Sequence, residues 1–298
     1  MRFRANLCNP IGLGKIALTL DKLGPTCILS LGMDSVRIIK YAETDGSIQA
    51  WTKVEPTSLF SNYRVESTNN NEINMTLVTD DLIRATRAAQ QSTDIRIQLR
   101  KKHGQAILDW SMVSTNRVGS KSIIGQEICV SIIPPERMRV IKEPTIATTP
   151  DAYILLPSLH NLKTVAGRLK SMGKYLTISA NMAGVFKLSV ETDMVQCETV
   201  YRHLENPQLA GHELPDDIER FSSVKISTDN FVSFLNSYHL EPQNVICSLT
   251  DGLQVAFYLY VNTDAYRTRN SDEAPPRVTT HSNQPRTIMT CHIPVYFD

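Results

Sequence analysis

Ile95, Ile97 and Leu99 alternate with Arg96, Gln98 and Arg100, the period of two that a strand gives when one face is buried and the other wet. Ile73, Met75 and Leu77 alternate in the same way with Glu72, Asn74 and Thr76. The rhythm returns at Phe186, Leu188 and Val190, and at Val224 and Ile226. Polar residues at every second position leave one sheet face to solvent. The pattern therefore predicts antiparallel sheets, because parallel sheets are covered on both faces and read as continuous apolar runs.

Helical spacing is confined to four short segments. The first, 10–23, has Pro10 at a start position and Ile16, Leu20 and Leu23 on one face. The second, 79–91, opens on Thr79-Asp80-Asp81, a capping oxygen and negative charge where the free N–H groups of a first turn need them. Its apolar stripe is Leu82, Ala85 and Ala89. The third, 158–172, turns Leu162, Val165, Leu169 and Met172 inward and stops at Gly173. The fourth, 228–238, aligns Phe231, Leu235 and Tyr238.

Pro134, Pro135, Pro144 and Pro150 cannot sit inside a sheet, since each removes a ladder donor. They mark 134–151 as an extended connector between a first domain, 1–133, and a second, 152–298. Each half holds two helices, starting about seventy residues apart, which suggests a duplicated architecture. Two insertions, 206–219 and 262–286, are rich in polar residues and proline and read as surface loops, the second mobile.

Composition narrows the function classes. The 298 residues carry 31 Lys and Arg against 30 Asp and Glu, a net charge of +1, which excludes a uniformly basic nucleic-acid coat but not a local patch. The longest apolar run, 255–261, is far short of the roughly 20 residues a membrane span requires. Met1-Arg2-Phe3-Arg4 has charge but no apolar core behind it, so no secretory signal is expected. Six cysteines stand singly, with no CxxC and no His/Cys spacing suited to zinc, and buried thiols in a reducing compartment are the expectation.

Catalytic motifs fail one by one. Gly12-Leu13-Gly14-Lys15 lacks both the leading glycine and the following hydroxyl of a phosphate loop. The histidines form no HExxH or HxH pair and no GxSxG elbow is present. Asp80-Asp81 and Asp216-Asp217 read as a helix cap and a loop rather than metal ligands. No enzyme, cofactor or metal is expected. The informative pattern is basic: Lys15 and Lys22 share one side of the first helix with Thr19 between them, and Arg84 and Arg87 are neighbours on the second. Lys163, Lys170 and Lys174 share a side of the third with His160, flanked by Arg168. Acidic residues are nearly absent from these faces. Brought together, the cations would hold a phosphate backbone without reading sequence.

The order and spacing of several segments carry a resemblance. Met1-Arg2-Phe3-Arg4-Ala5, Asn71-Glu72-Ile73, the Leu82-to-Ala89 helix before Ile95-Arg96-Ile97, Val130-Ser131-Ile132-Ile133-Pro134 and Tyr153-Ile154-Leu155-Leu156-Pro157 resemble the Hus-type (hydroxyurea-sensitivity) family, subunits of the heterotrimeric checkpoint clamp, the nine-one-one complex. The resemblance covers the chain apart from the two insertions. It implies an α+β sliding-clamp (DNA clamp) fold, two similar domains with antiparallel sheets outside and two short helices each inside. It implies a nuclear, non-enzymatic ring subunit of the DNA-damage and cell-cycle checkpoint. Expected partners are two other clamp subunits, a clamp loader, duplex DNA held through its backbone, and repair and checkpoint proteins, with no membrane. By the same resemblance, Lys15, Lys22, Arg84, Arg87, Lys163, Arg168, Lys170 and Lys174 would face DNA. Ile128, Val130 and Ile132 would meet one neighbouring subunit and Val195, Cys197, Thr199 and Tyr201 the other. Met138, Val140, Ile141 and Pro294 would border a partner-docking groove. The fourth helix departs by carrying no basic residue across 229–236. A replication-type homotrimeric clamp is the alternative, with a nuclease a distant third.

Overall fold

The structure, a computed structural model, describes residues 1–42, 46–115, 121–145, 149–207, 217–263 and 287–297. Much of both expected insertions, at 208–216 and 264–286, lies outside the described residues. The chain divides into two compact units. The first holds Met1–Lys40, Thr52–Lys142 and Val261–Ile288, and the second holds Tyr41–Trp51, Glu143–Tyr260 and Met289–Asp298.

Along the chain come β1 (Arg2–Leu7), α1 (Pro10–Asp21), β2 (Thr26–Leu31), β3 (Val36–Lys40), β4 (Gln49–Val54), α2 (Pro56–Leu59), β5 (Phe60–Glu66), β6 (Ile73–Val78), α3 (Thr79–Gln90), β7 (Thr93–Lys102), β8 (Gln105–Thr115), β9 (Lys121–Ile132) and α4 (Pro135–Val140). In the first unit the strands run β3-β2-β6-β9-β8-β7-β1-β5, every pair antiparallel, as the alternating pattern predicts. There follow β10 (Ala152–Leu155), α5 (Leu159–Lys170), β11 (Tyr175–Ala180), β12 (Phe186–Glu191), β13 (Gln196–Tyr201), β14 (Ser222–Ser227), α6 (Thr228–Leu235) with a 3-10 turn at Asn236–Leu240, β15 (Asn244–Thr250), β16 (Gln254–Val261) and β17 (Thr287–Ile293). The second unit carries β10-β15-β16-β17 and a separate sheet ordered β13-β12-β11-β14.

Each unit buries a helix pair against its sheets. In the first, Asn9 caps α1 by accepting from the Gly12 N–H at 2.8 Å, and α1 packs on α3. Gly14 permits the approach: a Cβ there would lie 3.2 Å from Thr86 Oγ1 and 3.3 Å from Gln90 Nε2. The two glycines of the failed phosphate-loop motif are thus a helix start and a helix contact. In the second unit, Leu162, Ala166 and Leu169 of α5 are buried with Phe231 and Phe234 of α6, and the Phe234 ring stacks on Phe257 at 4.1 Å. Each fully buried ring of this kind is worth about 1.5–3 kcal/mol relative to exposure.

The duplication read from helix spacing has a counterpart in hydrogen bonding. Thr79, first residue of α3, donates its N–H to Pro25 O at 2.9 Å, and Thr228, first residue of α6, donates its N–H to Lys174 O at 3.0 Å. Their hydroxyls donate to Pro25 O at 2.7 Å and to Gly173 O at 3.0 Å. Each threonine ties its helix start to the residues just before the second strand of its unit. This corrects the capping expectation at Thr79: both hydroxyls are buried and donate to carbonyls of the loop before the second strand rather than accepting from the helix's own N–H groups.

Other expectations shift for local reasons. The connector is not extended throughout, because α4 forms at Pro135–Val140. Proline at a first helical position sacrifices an N–H that has no intrahelical partner anyway, so Pro135 starts a turn rather than preventing one. The fourth helix ends at Leu235 and tightens into the 3-10 turn. On α5, Leu159 and Ala166 complete the buried face, while Val165 is half-buried and Met172, past the helix end, is 40% exposed.

Two glycines give opposite expectations. Gly14→Val should destabilise the chain by about 1–3 kcal/mol through overpacking against Thr86. Gly167→Ala, on α5 where a Cβ meets nothing within 4 Å, should stabilise it by about 0.5–1 kcal/mol. Urea unfolding of both variants checks the pair, and equal or reversed signs would contradict the described helix packing.

Candidate nucleic-acid interface

The cations singled out from sequence are unequally available. Arg87 and Arg168 are exposed, and no carboxylate of the described residues lies within ion-pair distance of either. Arg84 is held by Asp80, with Nε–Oδ2 at 3.3 Å, and by Asp81 on the same helix. Lys22 stands 3.4 Å from Asp21. Lys170 reaches Asp229 of α6 at 2.6 Å. Lys163 lies over the Tyr238 ring at 4.7 Å, whose edge also meets His160 at 5.5 Å. Lys15 is half-buried, and Thr19, expected beside it on the exposed side, is buried with its hydroxyl donating to Lys15 O at 3.0 Å.

This corrects the expectation that carboxylates stay off the basic faces. Lys15, Lys22, Arg84 and Arg87 of the first unit share α1 and α3 with Asp21, Asp80 and Asp81, so little net charge remains there. In the second unit Lys163, Arg168, Lys170 and Lys174 face Asp229 alone on the helix pair. The positive field therefore centres on α5. Exposed pairs of this kind contribute about 0–1 kcal/mol, so a phosphate can replace the aspartate at small cost. The approach of Asp229 to Lys170 and the contact of Tyr238 with Lys163 are tertiary. Nothing in the spacing of either helix reveals them.

Sheet edges form the second part of the site. β9 pairs with β8 from Val130 back to Lys121, but on its other side only Ser131 and Ile132 pair, with Thr76 and Met75 of β6. From Lys121 to Val130 the outer edge is open among the described residues, and Ile123 is 78% exposed on it. Among the described residues β13 ends its sheet, bonded to β12 alone. Met194 and Val195 at its start are 95% and 41% exposed. Cys197, Thr199 and Tyr201 are half-buried, and burial pushes the Tyr201 phenol up.

Two other edges are protected. β10 is covered where Leu155 donates to Glu205 O at 2.8 Å and Asn206 Nδ2 donates to Tyr153 O at 2.7 Å. β5 is irregular, with a register shift opposite β1, Asn62 at φ 50° and an Arg64–Glu66 ion pair at 2.6 Å. Kinks and charges of that kind discourage strand addition.

The interface and groove residues expected from the resemblance are placed as follows. Ile128 and Val130 point into the core of the first unit, so only their backbone is offered at the edge, beside the exposed Cys129 and Ser131. Ile132 is half-buried. Met138 is buried in the first unit, whereas Val140 is 75% exposed and Ile141 half-buried. Pro294, in the second unit, is half-buried two residues after His292, whose Nε2 lies 3.6 Å from Glu143 Oε1. Among the described residues no three His, Cys, Asp or Glu side chains come together as a metal could hold them. No helix of the described residues is long and apolar enough to cross a membrane.

Comparison with known proteins gives this arrangement a family. The Hus1-like protein family matches residues 1–268. The chain is 31% identical to the checkpoint protein hus1 of Schizosaccharomyces pombe over 270 residues, covering 88% of this chain and 93% of that one. It is 29% identical to checkpoint protein HUS1 of Homo sapiens, covering 87% and 95%. Among solved structures, the proliferating cellular nuclear antigen of Entamoeba histolytica superposes with a TM-score of 0.67 at 12% identity, covering 99% of both chains. The A. fulgidus clamp, solved with the C-terminal region of FEN-1, gives 0.63 at 10% identity and the same coverage. The chain belongs to the Hus1-like checkpoint family and has the sliding-clamp fold.

Proposed function

We propose that this protein is one non-enzymatic arc of a heterotrimeric nuclear ring that encircles duplex DNA and serves checkpoint and repair factors as a platform. The observation that carries the reading is the pair of open edges, β9 in the first unit and β13 in the second. An antiparallel edge is a row of unsatisfied N–H and C=O groups, and a second strand satisfies them all at once. Two such edges on one chain suit head-to-tail assembly, in which β9 of one subunit pairs with β13 of the next. Different surfaces meeting in this way close into a ring when the rotation permits. Membership of a family whose relatives are named checkpoint proteins favours unlike neighbours over three copies of this chain.

The helix charges support the second half of the reading. Lys163, Arg168 and Lys170 on α5 would touch phosphates, with α1 and α3 contributing less because Lys22 and Arg84 are paired with aspartates. Retention then comes from enclosure rather than contact energy. With only two or three phosphates engaged, the slope of log affinity against log salt should be about −2 to −3.

Charge reversal at Lys163, Arg168 and Lys170 in the reconstituted ring should reduce DNA loading at least tenfold and leave the melting curve unchanged. Arg84→Glu alone should change loading by less than twofold. Equal effects of the two variants would contradict the assignment of the field to α5, and a stable homotrimer of the purified chain in mass measurement would overturn the heterotrimer.

The cysteines report on the edge. Burial pushes the thiols of Cys27 and Cys291 up to about 12 and that of Cys247 higher still, so at pH 8 they remain protonated and inert in the folded chain. Cys129 is exposed on β9. Native alkylation of the free chain should modify Cys129 and spare those three. Assembly with the partner subunits should slow Cys129 modification at least tenfold, and an unchanged rate in the assembled state would contradict the β9 interface.

A further inference from the structure

The second unit contains a cleft of about 790 Å³ that shares Lys174 with the basic residues around α5 and otherwise uses neither the helix faces nor the open edges. Its walls include Lys174 and Tyr175 at the start of β11, Glu191 at the end of β12, Lys225 on β14, and Tyr296 and Phe297 beyond β17. The chain reaches the cleft by a thin attachment. Val295 bridges to Ile226, the Tyr296 N–H donates to Lys225 O at 2.7 Å, and the Tyr296 ring lies 4.8 Å from that of Tyr175. The Lys174 and Lys225 ammonium groups sit 5.4 and 5.8 Å from the Tyr175 ring centre. Phe297 is 73% exposed, and Leu253, next to the lining residue Gly252, is 62% exposed.

The corresponding place in the first unit is built differently. The threonine contacts that start α3 and α6 match Pro25 with Lys174, and the strand registers match Thr26 with Tyr175 and Thr76 with Lys225. There, β9 runs on along β6, with Ser131 and Ile132 paired and Ile133 donating to Asn74 O at 2.8 Å, before the chain turns into α4. Both units thus meet this strand with a later stretch of their own chain, but the first has neither lysine nor the tyrosine at the matching positions. Beside that attachment the second unit forms its cleft, lined among the described residues by two lysines, one carboxylate and the rings of Tyr175, Tyr296 and Phe297.

We propose that this cleft docks a short acidic peptide segment of a partner protein, anchored by an aromatic side chain. Among the described residues the lysines outnumber Glu191, the one carboxylate of the lining, and so favour a negatively charged occupant. The rings of Tyr175, Tyr296 and Phe297 offer the flat apolar contact that an aromatic anchor uses. The cleft lies within the second unit, next to Pro294 of the expected docking groove, and it does not depend on ring closure.

The test uses the full free chain and fluorescein-labelled twelve-residue peptides: one rich in Asp and Glu around a single Phe, the same peptide with Ala in place of Phe, and a Lys-rich counterpart. Fluorescence anisotropy should show saturable binding of the first, at least tenfold weaker binding of the second, and none of the third. The K174E/K225E double variant should weaken the first peptide at least tenfold. K53E/K101E, which makes the same change in net charge on exposed residues of the first unit, should shift it less than twofold. Equal loss in both double variants would mean diffuse attraction and overturn the proposal, as would unaltered binding to K174E/K225E or no saturable binding of the acidic Phe peptide. Thermal melting of each variant confirms folding, and a Phe297→Ala variant gives an independent reading of the aromatic wall, with at least a threefold loss expected.

Discussion

Backbone hydrogen bonding at the sheet edges is the constraint on which the rest of this structure depends. Every strand carries a donor and an acceptor per residue on each side in turn, and an edge leaves one side of that capacity to solvent. In this chain the edges are treated unequally. β10 is covered by Glu205 and Asn206, β5 is kinked and charged, and β14 is met at Lys225 and Ile226 by the segment after β17. β9 and β13 are left regular in register, with Ile123, Met194 and Val195 exposed beside them. Under the proposed assembly, the two edges that this chain leaves intact are the ones its neighbours pair with.

Electrostatics is secondary, and its arrangement fits that order. Each of Lys22, Arg84 and Lys170 already has an aspartate, and Lys163 has an aromatic face. Such a surface attracts a phosphate backbone weakly and without register, which lets a ring slide. Strong, unpaired cations would hold the duplex in place. The concentration of uncompensated charge on α5 also means that one helix of four provides most of the attraction, and that the basic-free α6 subtracts from it through Asp229.

Much of the fold was legible because it is written in local periodicity. The alternation at 95–100 and 73–77 became β7 and β6, and all four helices begin within a residue of the position their capping and spacing indicate. The duplication was visible as spacing and became physical in the matched bonds of Thr79 and Thr228. What escaped was non-local. Proline arithmetic read the connector as extended, because it counts lost donors and not the first-turn position where Pro135 loses nothing. Thr79 looked like a cap until Pro25 was brought beside it. Carboxylates seemed absent from the basic faces because Asp229 is far from Lys170 in sequence. No motif marks an open edge, since being an edge is a property of which strands fail to arrive, and the interface placement came from resemblance rather than from pattern.

Amide hydrogen exchange along β9 and β13, in the free chain and in the chain assembled with its partner subunits, addresses the central claim most directly. The account predicts rapid exchange at alternate amides of 121–130 and 196–201 in the free chain, slowed at least a hundredfold on assembly, with the amides of β10 unchanged. Exchange at both strands that stays as fast in the assembly as in isolation would mean that the ring, if one forms, is joined by some other surface.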